Sequence, residues 1–181
     1  MEKITAVSVT PEFKEFDKIN EIYEEAFPPE ERKFSLEQMM AQPLSKLDVK
    51  AYYCGGKVIG MSVLQDMGTF VYGFFFAVNK DVRNSGFGGR IFDRIIEDCG
   101  EKPLVFSIED PSEECDNKEQ RIKREAFYFK HNCVHTGYKS ERTEFGSTFL
   151  LMSSSKMDDY SFIKETAAAI NPALSELMVE Y

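Results

Sequence analysis

Tryptophan is absent from this 181-residue chain, and histidine is nearly so, with only His131 and His135. Cys54, Cys99, Cys115 and Cys133 stand without paired spacing and make no zinc pattern with the histidines. No disulfide framework is readable, so reduced thiols and a cytoplasmic protein without a bound metal are expected. Long apolar runs are also missing. None approaches the roughly 20 residues of a membrane span, and Met1-Glu2-Lys3-Ile4 lacks the apolar stretch of a secretory signal. Basic charge is in short supply, with 22 Lys and Arg against 31 Asp and Glu for a net charge of −9. Nothing in that balance repays repulsion from phosphate, which argues against nucleic-acid and anionic-membrane partners. It mildly favours cationic partners such as amines.

What is present is an ordinary globular composition, 43% apolar, long enough to bury a real core. Sixteen phenylalanines make a Phe-rich core the expectation. Ile4 to Val9 alternates as a strand. Thr10-Pro11 reads as a cap and first helical position for an amphipathic helix over 11–27, ended by Pro28-Pro29. Ser35-Leu36-Glu37-Gln38 is a capping box for a second short helix to about Gln42. Strands 49–54 and 57–65 flank Gly55-Gly56, a hairpin signal. A third strand runs over 69–78, a helix over 88–99, and a nearly continuous apolar strand over 104–108. Asp116 and Glu119 suit a capping box for a helix to about His131, and two strands follow over 134–145 and 148–152. The order predicts an α/β (α+β) domain over 1–154 with a mixed, largely antiparallel central sheet flanked by helices. Residues 155–181 read as a C-terminal helical extension suited to packing across the sheet or in a homodimer.

The most informative segment is Arg83-Asn84-Ser85-Gly86-Phe87-Gly88-Gly89-Arg90, between the strand ending Phe76-Ala77-Val78 and the next helix. Glycines let backbone N–H groups converge, and a helix N-terminus adds partial positive charge there, an arrangement that holds a pyrophosphate. A Walker loop needs Gly-Lys-Ser/Thr, where Gly89-Arg90-Ile91 stands. A dinucleotide fingerprint needs Gly or Ala where Ile91 stands. The remaining pattern, Arg-x-x-Gly-x-Gly after such a strand, resembles the GNAT superfamily of N-acetyltransferases, and the element order extends the resemblance over roughly residues 4–152. Lys80, Arg83, Arg90 and Arg94 around the loop, with more basic residues on the later helix, suit a cofactor with several phosphates.

The resemblance implies acetyl-coenzyme A as co-substrate and a small-molecule or peptide primary amine as acceptor, attacked directly without a covalent enzyme intermediate. It implies that the backbone of Phe76, Ala77 and Val78 pairs with the pantetheine arm and that the 83–90 loop grips the pyrophosphate. It places Tyr128 at the coenzyme sulfur as acid, with Glu109 as the expected base and Asp110 as its weaker competitor. Glu30, Glu31 and Tyr72 would line the acceptor pocket, a glutamate there pairing with a cationic acceptor. Two positions depart from the family's pattern: Asn132-Cys133 stands where Gly-Phe is usual, and Asn84 where Gly is common. Another acceptor, another acyl-coenzyme A donor, and a coenzyme-binding module without catalysis are the alternatives.

Overall fold

The computed structural model describes residues 2–29, 32, 34–41, 47–142, 147–170 and 178–181. It is an α/β fold of eight strands, largely antiparallel, flanked by helices. The chain forms two compact units, Met1–Asp66 with Tyr72–Asp98, and Met67–Val71 with Cys99–Tyr181.

In the first unit β1 (Thr5–Ser8), β2 (Leu47–Cys54), β3 (Lys57–Asp66) and β4 (Val71–Val78) lie side by side in chain order. β1 and β3 both pair antiparallel with β2. Helix α1 (Phe16–Ala26) begins later than its apolar spacing predicts. Thr10 and Phe13 spend their carbonyls on tight turns, accepting from the N–H groups of Phe13 and Phe16 at 2.9 Å. The residue before the helix is Glu15, so Thr10 does not cap it. Helix α2 (Leu36–Met40) opens with the expected box: Gln38 N–H donates to Ser35 Oγ at 3.1 Å and Ser35 N–H to Gln38 Oε1 at 2.9 Å.

Alternation along β4 sends neighbouring phenylalanines to opposite faces. Phe75 packs edge-on against Tyr23 and Phe27 around α1, with centroids 5.0 and 4.8 Å away. Phe76 meets Phe92 of α3 (Phe87–Cys99) at 5.9 Å. Helix α3 presses on the sheet closely enough to dictate a glycine. A Cβ on Gly60 of β3 would lie 2.5 Å from the Ala77 carbonyl oxygen and 2.8 Å from Ile91 Cδ1. The core follows the Phe-rich expectation only in part: Phe70, Phe92 and Phe106 are buried. The largest fully buried side chains among the described residues are Tyr23, Tyr52, Met61, Met152 and several Ile and Leu, with no Phe among them. Branched aliphatics fill the strand–helix interior, and Phe27 and Phe75 pack half-buried at its margin.

In the second unit β5 (Leu104–Glu109), β7 (Ser147–Ser153), β6 (Val134–Arg142) and β8 (Met178–Glu180) lie in that spatial order, joined antiparallel. Helix α4 (Lys118–Lys130) follows Asn117, whose side chain serves neighbouring residues and makes no cap bond to the helix. The helix ends in a Schellman turn: Cys133 N–H donates to Tyr128 O at 3.1 Å and Asn132 N–H to Phe129 O at 3.0 Å. Asn132 sits at φ 60°, the left-handed conformation that its short polar side chain tolerates.

The tail is not helical throughout. After α5 (Ser161–Ile170) the chain returns as β8, an extra strand along β6. Tyr181 anchors it, its hydroxyl 2.6 Å from His135 Nδ1 while His135 Nε2 lies 2.9 Å from Glu125. Asn171-Pro172, a pair that by sequence would break a helix, lies outside the described residues.

Candidate functional site

The first unit carries the candidate phosphate loop. Asn79, absent from the sequence-based candidates, starts it. It is buried; its N–H donates to Ile59 O and its Nδ2 to Val58 O, both at 2.9 Å, while Oδ1 accepts from Asp81 N–H at 3.1 Å. One side chain thus ties the exit of β4 to β3 and to the single 3-10 turn over Lys80–Val82. An N-cap residue directly after an apolar strand was the available signal. The chain then passes through Asn84 at φ 63° and Gly86 at φ 78° before α3 begins at Phe87. Asn84 therefore adopts the left-handed backbone usual for glycine. Ser85 and Gly86 are exposed. Gly88, Gly89 and Arg90 lie in the first turn of α3, whose leading N–H groups have no acceptor within the helix.

The basic residues around the loop separate into different roles. Arg83 Nε donates to Val78 O at 3.2 Å, folding back over the strand end. Arg90 bonds the Glu2 carbonyl and lies over the Phe87 ring, 5.2 Å from its centroid. Arg94 pairs with Asp98 at 2.8 Å and Lys80 with Glu25 at 3.2 Å. Among these, Arg83 is the cation bonded to the main chain that leads into the loop.

The expected acceptor residues do not gather in one place. Glu30 and Glu31 lie outside the described residues. Tyr72 shares its β4 face with Phe74, 4.9 Å away edge-on, and by alternation with Phe76, the face toward α3. The end of α1 packs on the opposite face through Phe27 and Phe75.

The second unit holds Glu109 and Tyr128. Glu109 ends β5 with its side chain only 12% exposed. Its Oε1 accepts from Arg121 Nη2 at 2.9 Å and from Asn117 Nδ2 at 3.4 Å, and its Oε2 from Arg124 Nη1 at 2.7 Å. Each carboxylate oxygen offers two acceptor positions, so among the described residues one on Oε2 is unused. Sequence reasoning missed this network because Arg121 reads as one more charge on a polar helix. Arg121 is instead buried, and all five of its N–H groups are taken: Asn117 Oδ1, the Asp110 carbonyl, Glu113, Ser147 Oγ and Glu109. Burial alone would push the Glu113 carboxyl up, but the Thr148 N–H and Arg121 together hold it below the usual carboxylate range.

Arg121, Arg124 and Tyr128 follow at three- and four-residue steps on one face of α4. Tyr128 packs on Phe106 of β5 at 4.4 Å. Burial pushes its phenol up to about 12, against the pull of the Arg124 guanidinium. It therefore carries its proton through the whole neutral range, as a hydrogen-bond donor. Cys133, in the position usual for Phe, is buried and its thiol is likewise pushed up to about 12, which leaves it inert. No group of metal-ligating side chains occurs among the described residues, and no helix there is long and apolar enough to cross a membrane.

This order of strands and helices, with a glycine-bearing turn from β4 into α3, is the fold of the GNAT acetyltransferases. An acetyltransferase assigned to that family from Bacteroides thetaiotaomicron matches 92% of this chain and 97% of its own at 24% identity and a TM-score of 0.75. A GNAT acetyltransferase from Elizabethkingia anophelis, solved with acetyl-CoA bound, matches 84% of this chain and 98% of its own at 14% identity and a TM-score of 0.60. An acetyltransferase from Bacillus subtilis in complex with CoA matches 87% and 100%, at 13% identity and a TM-score of 0.62. No family model matches the sequence, and no curated protein does.

Proposed function

We propose that this protein moves an acetyl group from acetyl-coenzyme A to a primary amine of a small molecule or peptide in the cytoplasm. The observation that carries the reading is the turn from β4 into α3. Asn84 and Gly86 both take left-handed backbone there, a conformation from which anion-binding nests of N–H groups are built. The bound acetyl-CoA and CoA of the Elizabethkingia and Bacillus proteins support a coenzyme in such a fold.

In this reading the loop over Arg83–Arg90 holds the pyrophosphate, and the backbone of Phe76, Ala77 and Val78 pairs with the pantetheine arm. The Val78 N–H polarises the thioester carbonyl. The neutral amine attacks the carbonyl carbon, the C–S bond breaks, and Tyr128 gives its proton to the leaving thiolate. Glu109 receives the proton of the amine at the open position on Oε2, directly or through water. Its contacts with Arg121 and Arg124 favour a second reading, in which Glu109 only holds Arg124 beside Tyr128 and water carries the amine's proton away. Glu109→Gln separates the two. A base gives a loss of roughly a hundredfold or more in kcat; an anchor gives a small loss with an unchanged pH profile.

Calorimetry with acetyl-coenzyme A, run beside a free-thiol assay over a panel of amines, tests the whole reading. Binding with amine-dependent thiol release is expected. Binding without release on any acceptor leaves only a coenzyme-binding module. Tyr128→Phe should bind the coenzyme normally and lose roughly a hundredfold in turnover.

A further inference from the structure

Arg32 is held in a way that no other described arginine shares. Its side chain is only 19% exposed and its guanidinium lies over the Tyr23 ring, 5.9 Å from the centroid. Nη1 reaches Glu24 Oε1 at 3.6 Å, beyond hydrogen-bond length, and Nε is buried with no hydrogen-bond partner among the described residues. Buried Arg121, by contrast, has every N–H satisfied. Nε and the neighbouring Nη form the fork that grips a carboxylate with two parallel bonds.

Beneath the fork is an aromatic floor. Tyr23, Phe27 and Phe75 meet at centroid distances of 4.8 to 5.7 Å, and Phe27 and Phe75 remain half-buried. Tyr23 is fully buried and its hydroxyl is spent on the Phe34 carbonyl at 3.1 Å, so the ring surface left to a ligand is that of Phe27 and Phe75. Phe75 directly precedes Phe76-Ala77-Val78 on β4 and faces the other way.

We propose that Arg32 and this floor form the acceptor subsite, and that the acceptor is an amine bearing a carboxylate beside an aromatic group, as in a free aromatic amino acid. The assignment rests on the transfer reading above for the position of the thioester arm, and it replaces a cationic acceptor with a zwitterionic one. The carboxylate lies on the Arg32 fork, the ring on Phe27 and Phe75, and the amine is left beside β4.

The test uses wild-type protein saturated with coenzyme A, titrated calorimetrically with L-phenylalanine and with L-phenylalaninamide, which keeps the ring and amine but lacks the carboxylate. The acid should bind roughly tenfold or more tightly than the amide. Arg32→Gln should erase that preference with coenzyme affinity and melting temperature unchanged. Equal binding, tighter binding of the amide, no binding of phenylalanine, or a preference that survives Arg32→Gln overturns the assignment. Thiol release from acetyl-coenzyme A is measured on the same samples. Preferred binding of phenylalanine without release overturns the transferase reading and leaves the subsite standing.

Discussion

The loop of the first unit and the β5–α4 corner of the second hold their functional candidates by different means. In the loop, main chain does the work: Asn84 and Gly86 supply left-handed turns, and Gly60 lets β4 and α3 close together. At the corner, side chains do it: Arg121 gathers Glu109, Glu113, Asn117 and Ser147, and the Thr148 N–H completes the set. A backbone-built cradle tolerates changes of side chain but not of conformation. A cradle built from charges tolerates small shape changes but not the loss of one ion. Arg32 is the exception in the first unit, a side-chain device beside a main-chain one, and this is why it reads as a specificity element.

The sharpest way to break this contrast is Arg121→Ala. It leaves Glu109 and Glu113 with fewer partners in a buried setting and should cost about 3–5 kcal/mol in urea unfolding. A loss below about 1 kcal/mol, the value of an exposed pair, would reduce the corner to ordinary surface charge. Next is Gly60→Ala in the first unit. The new Cβ cannot fit beside the Ala77 carbonyl at 2.5 Å without moving β4 or α3, and about 1–3 kcal/mol should be lost. Coenzyme affinity should fall with it, and an unchanged affinity would detach the loop from the strand that carries it.

Smaller again is Gly86→Ala, which places a Cβ at φ 78° and should cost about 1–2 kcal/mol. Asn84→Gly should leave both stability and coenzyme binding nearly unchanged, because the conformation is what matters there. If Asn84→Gly hurts binding more than Gly86→Ala does, the Asn84 side chain, and not its backbone, touches the ligand.

The smallest effect concerns alkaline stability. Tyr128 has a folded value of about 12 against 10.0 for a free phenol. The raised value means the folded state holds this proton more tightly than the unfolded chain does. Its contribution is therefore complete below about pH 10 and is lost as pH rises through about 12. Tyr128→Phe should flatten that decline in chemical denaturation, and an unchanged decline would place the phenol in water.

Much of the fold was legible because it follows from local chemistry. The box at Ser35 and Gln38, the apolar runs of β2 to β4 and the 3.6-residue period of α3 each need only neighbouring residues. The errors fell where a residue's partner is distant. Thr10 is the exception, a local misreading, because α1 starts only at Phe16, behind Glu15. Residues 178–180 read as tail until β6 offered an edge. The phenylalanines were expected inside, but how deep a ring sits depends on which helix covers its face.

What the chain by itself determined is a strand, a left-handed turn and a helix start at Phe76 to Arg90, because glycine, asparagine and apolar spacing set those conformations within a few residues. Only the tertiary structure decided that Arg121 is a buried knot, that Glu109 is already held, and that Arg32 keeps a donor without a partner. A guanidinium is the same group in any sequence. Its role is set by how many acceptors the folded chain brings within about 3 Å of it, and those acceptors lie on other elements.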